Sequence, residues 1–449
     1  LGVATFRQCR WNGLLDSRRS VGRPMSIGSP LYEPWSLADL VADLRAGRST
    51  VEDAWRRSQR RIDDTEDDLA AWVVHAPPVE LEDPPGLLGG IPLGVKDIVD
   101  VAGLPTRCGT DLYAARGPAE ADAAVVQAWR TAGAVPAGKT VSTEFAFFAP
   151  GPTCNPADPS RTPGGSSSGS AAAVASGQVP LALGSQTAGS VTRPASYCGV
   201  ASMVMTRGRH STEGVTGLAA SLDSHGFYAA QVRDLACAWS AFVGQEVVLG
   251  CMPAPPRVLL WDAGELGVVE PDMADALARL GRGIRADGAG QSAFPAGDAV
   301  SLATAAHAVV MSYEAARERS ALFADVDRLS APLTALLRRG AATATADYHA
   351  ACITVAETRE HILSLFDSVD VIVGPAAPGA APEGLTATGD PVLSRAWQAW
   401  GLPVVTVPGL TDGRGLPLGI QVIGPPNSEA ELLAGASWIS AVIASQPAA

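Results

Sequence analysis

Residues 160–185 read SRTPGGSSSGSAAAVASGQVPLALGS, and the order of residue types in this stretch decides the fold class. A glycine–serine loop comes first, then a run of small residues, then Pro180 and the apolar segment LALGS. Small side chains let backbones approach closely. SGSAAAVASG therefore predicts one tightly packed helix, and VPLALGS a short buried strand. The same elements recur upstream. DAAVVQAWRTAGAVPAGKTVS (122–142) reads as helix, glycine stop and strand, and GIPLGVKDIVDVAG (90–103) as a buried strand running into a turn. Downstream, PPRVLLWD, VDVIVGPAAP, LPVVTVPG and LPLGIQVIG are further strands. Helical periodicity covers two segments of 36–77, PDMADALARLGRGI, much of 300–368 and SEAELLAGASWISAVIA. The expected fold is α/β, a large mixed central β-sheet covered by helices on both faces.

The domain reading is one domain over 36–449, with about 245–345 as a peripheral subdomain and residues 1–35 as an N-terminal extension. The first 24 residues are arginine-rich and lack the compact apolar run of a secretory signal. They read either as a transit peptide or as chain upstream of a start at Met25.

Composition narrows the function. The 449 residues are 47% hydrophobic, enough for a sizeable core, and the net charge of −13 argues against nucleic acid or an anionic membrane surface as partner. Cys9, Cys108, Cys154, Cys198, Cys237, Cys251 and Cys352 stand singly, a pattern of reduced thiols in a cytoplasmic protein. No apolar run reaches the roughly 18 residues of a membrane-spanning helix. Neither metal nor cofactor is signalled, and oligomeric state is not readable. Of the 33 basic residues only Lys96 and Lys139 are lysines. A lysine kept under that bias points to a need for an ammonium that can lose its proton, which guanidinium cannot do.

The serine-rich loop raises the question of a nucleophile, and a serine hydroxyl needs a base. None of the six histidines lies between His75 and His210. A lysine serves when desolvation lowers its pKa, and Lys96 sits in an apolar strand. The alternative for Lys96 is an ion pair with Asp97 or Asp100. GVKD, then GGSSSGS, then the glycine-flanked Ser190 of TAGS resembles the amidase signature family. The resemblance extends through AGLPTRCGT (102–110), 121–147, RPASYCGV (193–200), SLDSHG (221–226), DVIVGPAAPGAAP (370–382) and 402–426.

The resemblance implies an amidase-signature fold and hydrolysis of C–N bonds by a Ser–cis-Ser–Lys triad. Carried over by position, Ser190 is the nucleophile, Ser166 the bridging serine after a cis peptide, and Lys96 the base. The N–H groups of Thr187, Ala188, Gly189 and Ser190 would form the oxyanion hole. Ser167, Ser168 and Ser170 are expected to satisfy backbone groups, Lys139 to pack and pair, and Cys198 to be an inert buried thiol.

Two departures stand out. GSQTAGSVT replaces the family's usual G-T-D-T-G-G-S-I-R, so Gln186 and Thr192 stand for an aspartate and an arginine, with Arg193 displaced by one. The double replacement suggests a neutral Gln186–Thr192 bridge behind the oxyanion loop. SMVMTRGRH replaces G-L-K-P-T-x-G-R and puts Arg209 at the pocket mouth.

Candidate substrate contacts are Phe147, Tyr197, Arg209, Trp397 and Gln398, with Phe145, Phe148 and Trp400 beside them. Such a lining suits flat apolar or aryl amides and carbamates better than charged amides. The look is closest to bacterial aryl acylamidases and urethanases, with a small-molecule substrate. The alternatives are a glutaminase resembling the amidase-type component of tRNA-linked amidotransferases, and a catalytically silent binding protein on the same fold.

Overall fold

Eleven strands form one sheet in the computed structural model, which describes residues 27–77, 86–245 and 255–446. The first 26 residues, most of the 77–90 connection, most of the break read at 245–256, Cys9 and Cys251 lie outside them. In chain order the strands are β1 (Trp72–His75), β2 (Ile91–Lys96), β3 (Ala134–Thr140), β4 (Leu181–Gln186), β5 (Ala201–Val204) and β6 (Ser224–Ala229). They continue with β7 (Val258–Leu260), β8 (Gln291–Ala293), β9 (Val371–Pro375), β10 (Val404–Thr411) and β11 (Pro417–Ile423). The spatial order is β1-β3-β2-β4-β6-β5-β10-β11-β9-β7-β8. β2 runs parallel to both β3 and β4, whereas β4 pairs antiparallel with β6. This is the mixed sheet expected. β7 and β8 continue the same sheet at one edge, β7 parallel to β9.

β4 shows why the sheet carries helices on both faces. Leu181 and Leu183 join one apolar cluster, with Leu93, Val95 and Phe227, while Ala182 joins another on the opposite face. Successive strand residues point to opposite faces, so one strand supports two cores. The second face is lined by small side chains because helix Ser168–Ala175, SGSAAAVA, lies against it with every residue buried. Gly169 is required there: a Cβ would sit 2.2 Å from the Ala71 carbonyl oxygen and 2.4 Å from Val141 N.

The helices expected over 36–77 are Leu37–Arg45 and Val51–Leu69, the first capped by Ser36. The chain packs before the boundary read at 36. Leu31 and Trp35 are buried, and Glu33 N donates to the Ala175 carbonyl at 3.0 Å. Among the described residues no helix is long and apolar enough to cross a membrane. The topology sets Lys96 and Gln186 at the carboxyl ends of neighbouring strands, with Ser224 of β6 opposite Gln186. Ligands of open α/β sheets bind outside such strand ends.

Candidate active site

Lys96 closes β2 and is fully buried. Its Nζ lies 2.7 Å from Ser166 Oγ, 2.9 Å from Ser185 Oγ and 3.4 Å from the Ser185 carbonyl oxygen. Burial pushes the ammonium down from 10.5 to about 7, the Asp223 carboxylate opposing part of that fall. The ion pair weighed for this residue forms on the other lysine instead. Lys139 Nζ sits 3.1 Å from Asp97 Oδ1 and 2.8 Å from Thr106 Oγ1. The neighbouring lysine thus takes the carboxylate and leaves Lys96 among hydroxyls.

The loop before helix Ser168–Ala175 brings Ser166 to Lys96, and the Gly165–Ser166 peptide is cis. Gly165 is held on one side by Arg193, whose Nη2 donates to its carbonyl at 2.6 Å. Ser190 lies in the turn between β4 and helix Thr192–Cys198. Its carbonyl accepts from Ser167 N at 3.3 Å and from the Tyr228 hydroxyl at 3.2 Å, tying the two serine segments together. Ser166 and Ser190 line one cavity, with Thr187 and Ala188. No histidine lines it.

Three residues of the turn 187–190, Thr187, Ala188 and Ser190, line this cavity. Among the described residues no protein acceptor is hydrogen-bonded to the N–H of Thr187, Ala188, Gly189 or Ser190. The turn is braced from behind at three points. Thr187 Oγ1 donates to Asp223 Oδ1 at 2.5 Å, and Asp223 Oδ2 accepts from Leu218 N and Ala219 N. Burial raises the Asp223 carboxyl to about 6, the Thr187 hydroxyl pulling it back. His307 Nε2 donates to the Thr187 carbonyl oxygen at 2.8 Å, and burial holds its imidazole down at about 4, hence neutral. Third, Gln186 Oε1 accepts from Val191 N at 2.9 Å and Thr192 N at 3.1 Å.

That last contact corrects one expectation. Gln186 meets the backbone of Thr192, not its hydroxyl, which is buried without a partner. The partner of the Gln186 amide is Gln398, 3.1 Å away. Gln398 in turn donates to the Gln186 carbonyl at 3.0 Å and to Ser224 Oγ at 3.0 Å. A neutral amide pair therefore links β4 to helix Val392–Trp400.

Of the five substrate contacts read from sequence, Phe147 lines the cavity, as does Phe148 beside it. The other four lie elsewhere. Gln398 belongs to the bracing just described. Trp397 is fully buried against Trp261, Phe294 and Trp400, a core role its helical spacing allowed. Tyr197 packs under Gly164 and Gly389. Arg209 reaches Asn427 at 3.2 Å and the Trp239 ring. Phe145 is buried edge-on to Tyr113. Phe145, Ala146 and Phe148 all hold positive φ, of 45°, 61° and 43°. A non-glycine backbone held there is strained, a condition that clusters at ligand sites.

Sequence reading missed Ser185, Asp223, His307 and Thr388. SLDSHG had drawn attention to the Asp223 segment, whereas nothing near His307 distinguishes it from a core histidine. No cluster of His, Cys, Asp and Glu among the described residues would hold a metal ion.

Comparison with known proteins matches residues 65–258 and 292–433 to the family described as Amidase. One component of the glutamyl-tRNA(Gln) amidotransferase of Treponema pallidum is 33% identical over 410 residues, covering 77% of this chain and 80% of its own. A putative amidase, AmiA2, of Mycobacterium bovis is 33% identical over 460 residues, covering 91% of this chain and 93% of its own. A solved structure reported as an amidase superposes with a TM-score of 0.80 at 26% identity, over 91% of this chain and 99% of that one.

Proposed function

The chain belongs to the amidase family and is an amide-hydrolysing enzyme, and we propose that it cleaves small amides or carbamates through an acyl-enzyme on Ser190. The observation that carries this reading is the 2.7 Å contact between Lys96 Nζ and Ser166 Oγ, with Ser185 as the amine's other hydrogen-bond partner. A lysine held near 7 is substantially neutral at physiological pH, and a neutral amine has a lone pair to accept a proton. Its two N–H bonds then go to Ser185 Oγ and the Ser185 carbonyl, and its lone pair faces the Ser166 hydroxyl.

The proposed steps start from that contact and from the cavity that Ser166 and Ser190 share. Ser190 Oγ attacks the carbonyl carbon; its proton passes to Ser166 Oγ as the Ser166 proton passes to Lys96 Nζ. The tetrahedral oxyanion is met by the free N–H groups of 187–190. One such donor typically contributes about 3–4 kcal/mol to the transition state. Collapse breaks the C–N bond, and the relay returns its proton to the leaving nitrogen. Water then attacks the ester and gives a proton to the relay. Ser190 leaves protonated and the acyl group departs as acid.

Phe147 and Phe148 support a flat apolar part in the substrate, in keeping with an aryl amide or urethane. The test is a release assay on p-nitroanilides, aryl carbamates, esters, primary amides and glutamine, each with parent enzyme and Ser190→Ala. Loss of turnover in the variant is expected; equal turnover removes the mechanism. Glutamine is included because of the similarity to an amidotransferase component, and turnover of glutamine alone would favour that reading.

A further inference from the structure

One side chain behind the cavity, outside its lining, touches both serine segments. Tyr228 is fully buried on β6. Its hydroxyl donates to the Ser190 carbonyl at 3.2 Å, and the Ser167 hydroxyl faces it. Burial holds the phenol well above its ordinary range, so this hydroxyl keeps its proton and stays a donor. The ring lies against β4 at Gly184, where a Cβ would meet Tyr228 Cε2 at 2.9 Å and Ser167 Oγ at 3.0 Å. Glycine inside a strand weakens it and marks a close approach. Here the space it leaves is filled by the tyrosine ring and the serine hydroxyl.

The peptide that follows Ser190 is gripped on both edges. Its N–H, that of Val191, donates to Gln186 Oε1 at 2.9 Å. Its carbonyl accepts from the Tyr228 hydroxyl and, at a longer 3.3 Å, from Ser167 N. Fixing that plane fixes the backbone torsion at Ser190, and with it the direction in which Oγ leaves the chain. Ser167 directly follows the bridging Ser166, and its own Oγ donates to the Ser185 carbonyl at 3.3 Å. The Tyr228 hydroxyl therefore meets the nucleophile's carbonyl and the bridging serine's neighbour at one point. It does so from a strand paired on both sides, with β4 and β5. A phenylalanine would fill the same space with no polar atom to satisfy, whereas a buried hydroxyl is held where its bond is made.

We propose that Tyr228 is a positioning residue for the hydrolysis: its hydroxyl sets the spacing of Ser190 against Ser166, and so the hand-over of the proton between them. The inference rests on the hydrolase reading above and deepens it. No bond to Tyr228 forms or breaks, and its proton stays on the phenol throughout. Its effect passes entirely through the two serine segments.

The test is Tyr228→Phe, which removes the hydroxyl oxygen, keeps the ring and leaves the Ser190 carbonyl its bond from Ser167 N. Turnover is compared on a 4-nitroanilide and on the 4-nitrophenyl ester of the same acyl group. Both require Ser190 to pass its proton to Ser166, but only the anilide needs the relay to give one back, because nitrophenolate leaves without it. For the anilide, kcat is expected to fall by about thirtyfold, since a misplacement of about 1 Å costs up to a hundredfold. KM should stay within about twofold, the pattern of an interaction that acts in the transition state. The ester should lose less, about fivefold. The acid limb of the pH profile should not move, because Tyr228 makes no contact with Lys96. A second variant, with 4-aminophenylalanine in place of Tyr228, keeps a donor at the same ring position and should restore the anilide to within about threefold of the parent. Urea unfolding of each variant gives the folded fraction, which a merely structural role would lower for both substrates alike. An anilide kcat within about twofold of the parent, a loss that follows the folded fraction equally for both substrates, or no rescue by the amine would each overturn the proposal and leave the hydrolase reading intact. Failure of a fluorophosphonate to label Ser190 in the parent enzyme would overturn both.

Discussion

Replacing Lys96 by methionine separates a neutral lysine from a charged one without any substrate. The unfolded chain keeps this proton up to about 10.5, whereas the native chain releases it near 7. Between those values the unfolded state binds more protons, so native stability rises with pH across that window. Below about 7 both states carry the proton and the cost of the buried ammonium is constant. With about 1.4 kcal/mol per tenfold, that cost is roughly 4 kcal/mol at neutral pH. Methionine does not titrate and fills much of the same space. Losing the contacts to Ser166 Oγ and Ser185 Oγ subtracts a pH-independent amount, about 1–3 kcal/mol. Urea unfolding of parent and Lys96→Met should be followed from about pH 6 to about pH 10. The variant is expected to be the more stable at the acid end, its advantage shrinking steadily and reversing toward pH 10 as the parent gains. The other titrating groups cancel in the difference apart from Asp223, whose carboxyl the Lys96 ammonium lowers and which titrates at the acid end, near 6. A constant gap, or one that widens in favour of the variant with rising pH, would refute the depressed lysine on which the chemistry depends.

Four further outcomes follow from the same contacts. The acid limb of kcat/KM in the parent should have an apparent pKa close to 7, since only the neutral lysine accepts a proton; a limb near the ordinary lysine value would contradict the site as described. Asp223→Asn removes the carboxylate that holds the Lys96 ammonium up, so that limb should move to lower pH, with kcat also reduced because Thr187 loses its anionic partner. An unmoved limb would show that Asp223 does not reach Lys96 electrostatically. Gln398→Leu strands the Gln186 amide and the Gln186 carbonyl and should lower stability by about 2–4 kcal/mol in chemical denaturation. Trp397→Leu should cost about 3 kcal/mol or more through lost core packing, yet leave the ratio of kcat/KM for aryl over alkyl amides unchanged; a changed ratio would restore Trp397 to the substrate site.

The readable part of this sequence was carried by residues whose local needs are strong. Helix Ser168–Ala175 and β4 follow from a run of small and apolar residues that no loop would use, and β2 from an apolar strand ending at Lys96. The serine and lysine positions came from a spaced motif, and the fold brings Lys96 and Ser166 into contact. What stayed hidden was pairing over long sequence distances. Gln186 meets Gln398, 212 residues away, and His307 meets Thr187, 120 residues away. Neither end carries a local signal of the other. Aromatic residues misled for a related reason. Trp397 and Phe147 look alike in composition, but one lies on a helix between packed rings and the other on a strained loop at a cavity. Arg193 showed the converse: the sequence marked it only as displaced by one from the family pattern, and the fold shows it bridging Gly165 and Thr388.

The central claim is a covalent acyl group on Ser190, and mass spectrometry of the acid-quenched enzyme tests it most directly. The intact protein, mixed with an activated aryl amide or ester that it turns over, should gain the mass of one acyl group. Peptide mapping should place that mass on Ser190, and Ser190→Ala should gain none and release no amine. An adduct on another residue, or undiminished release by Ser190→Ala, would contradict the account.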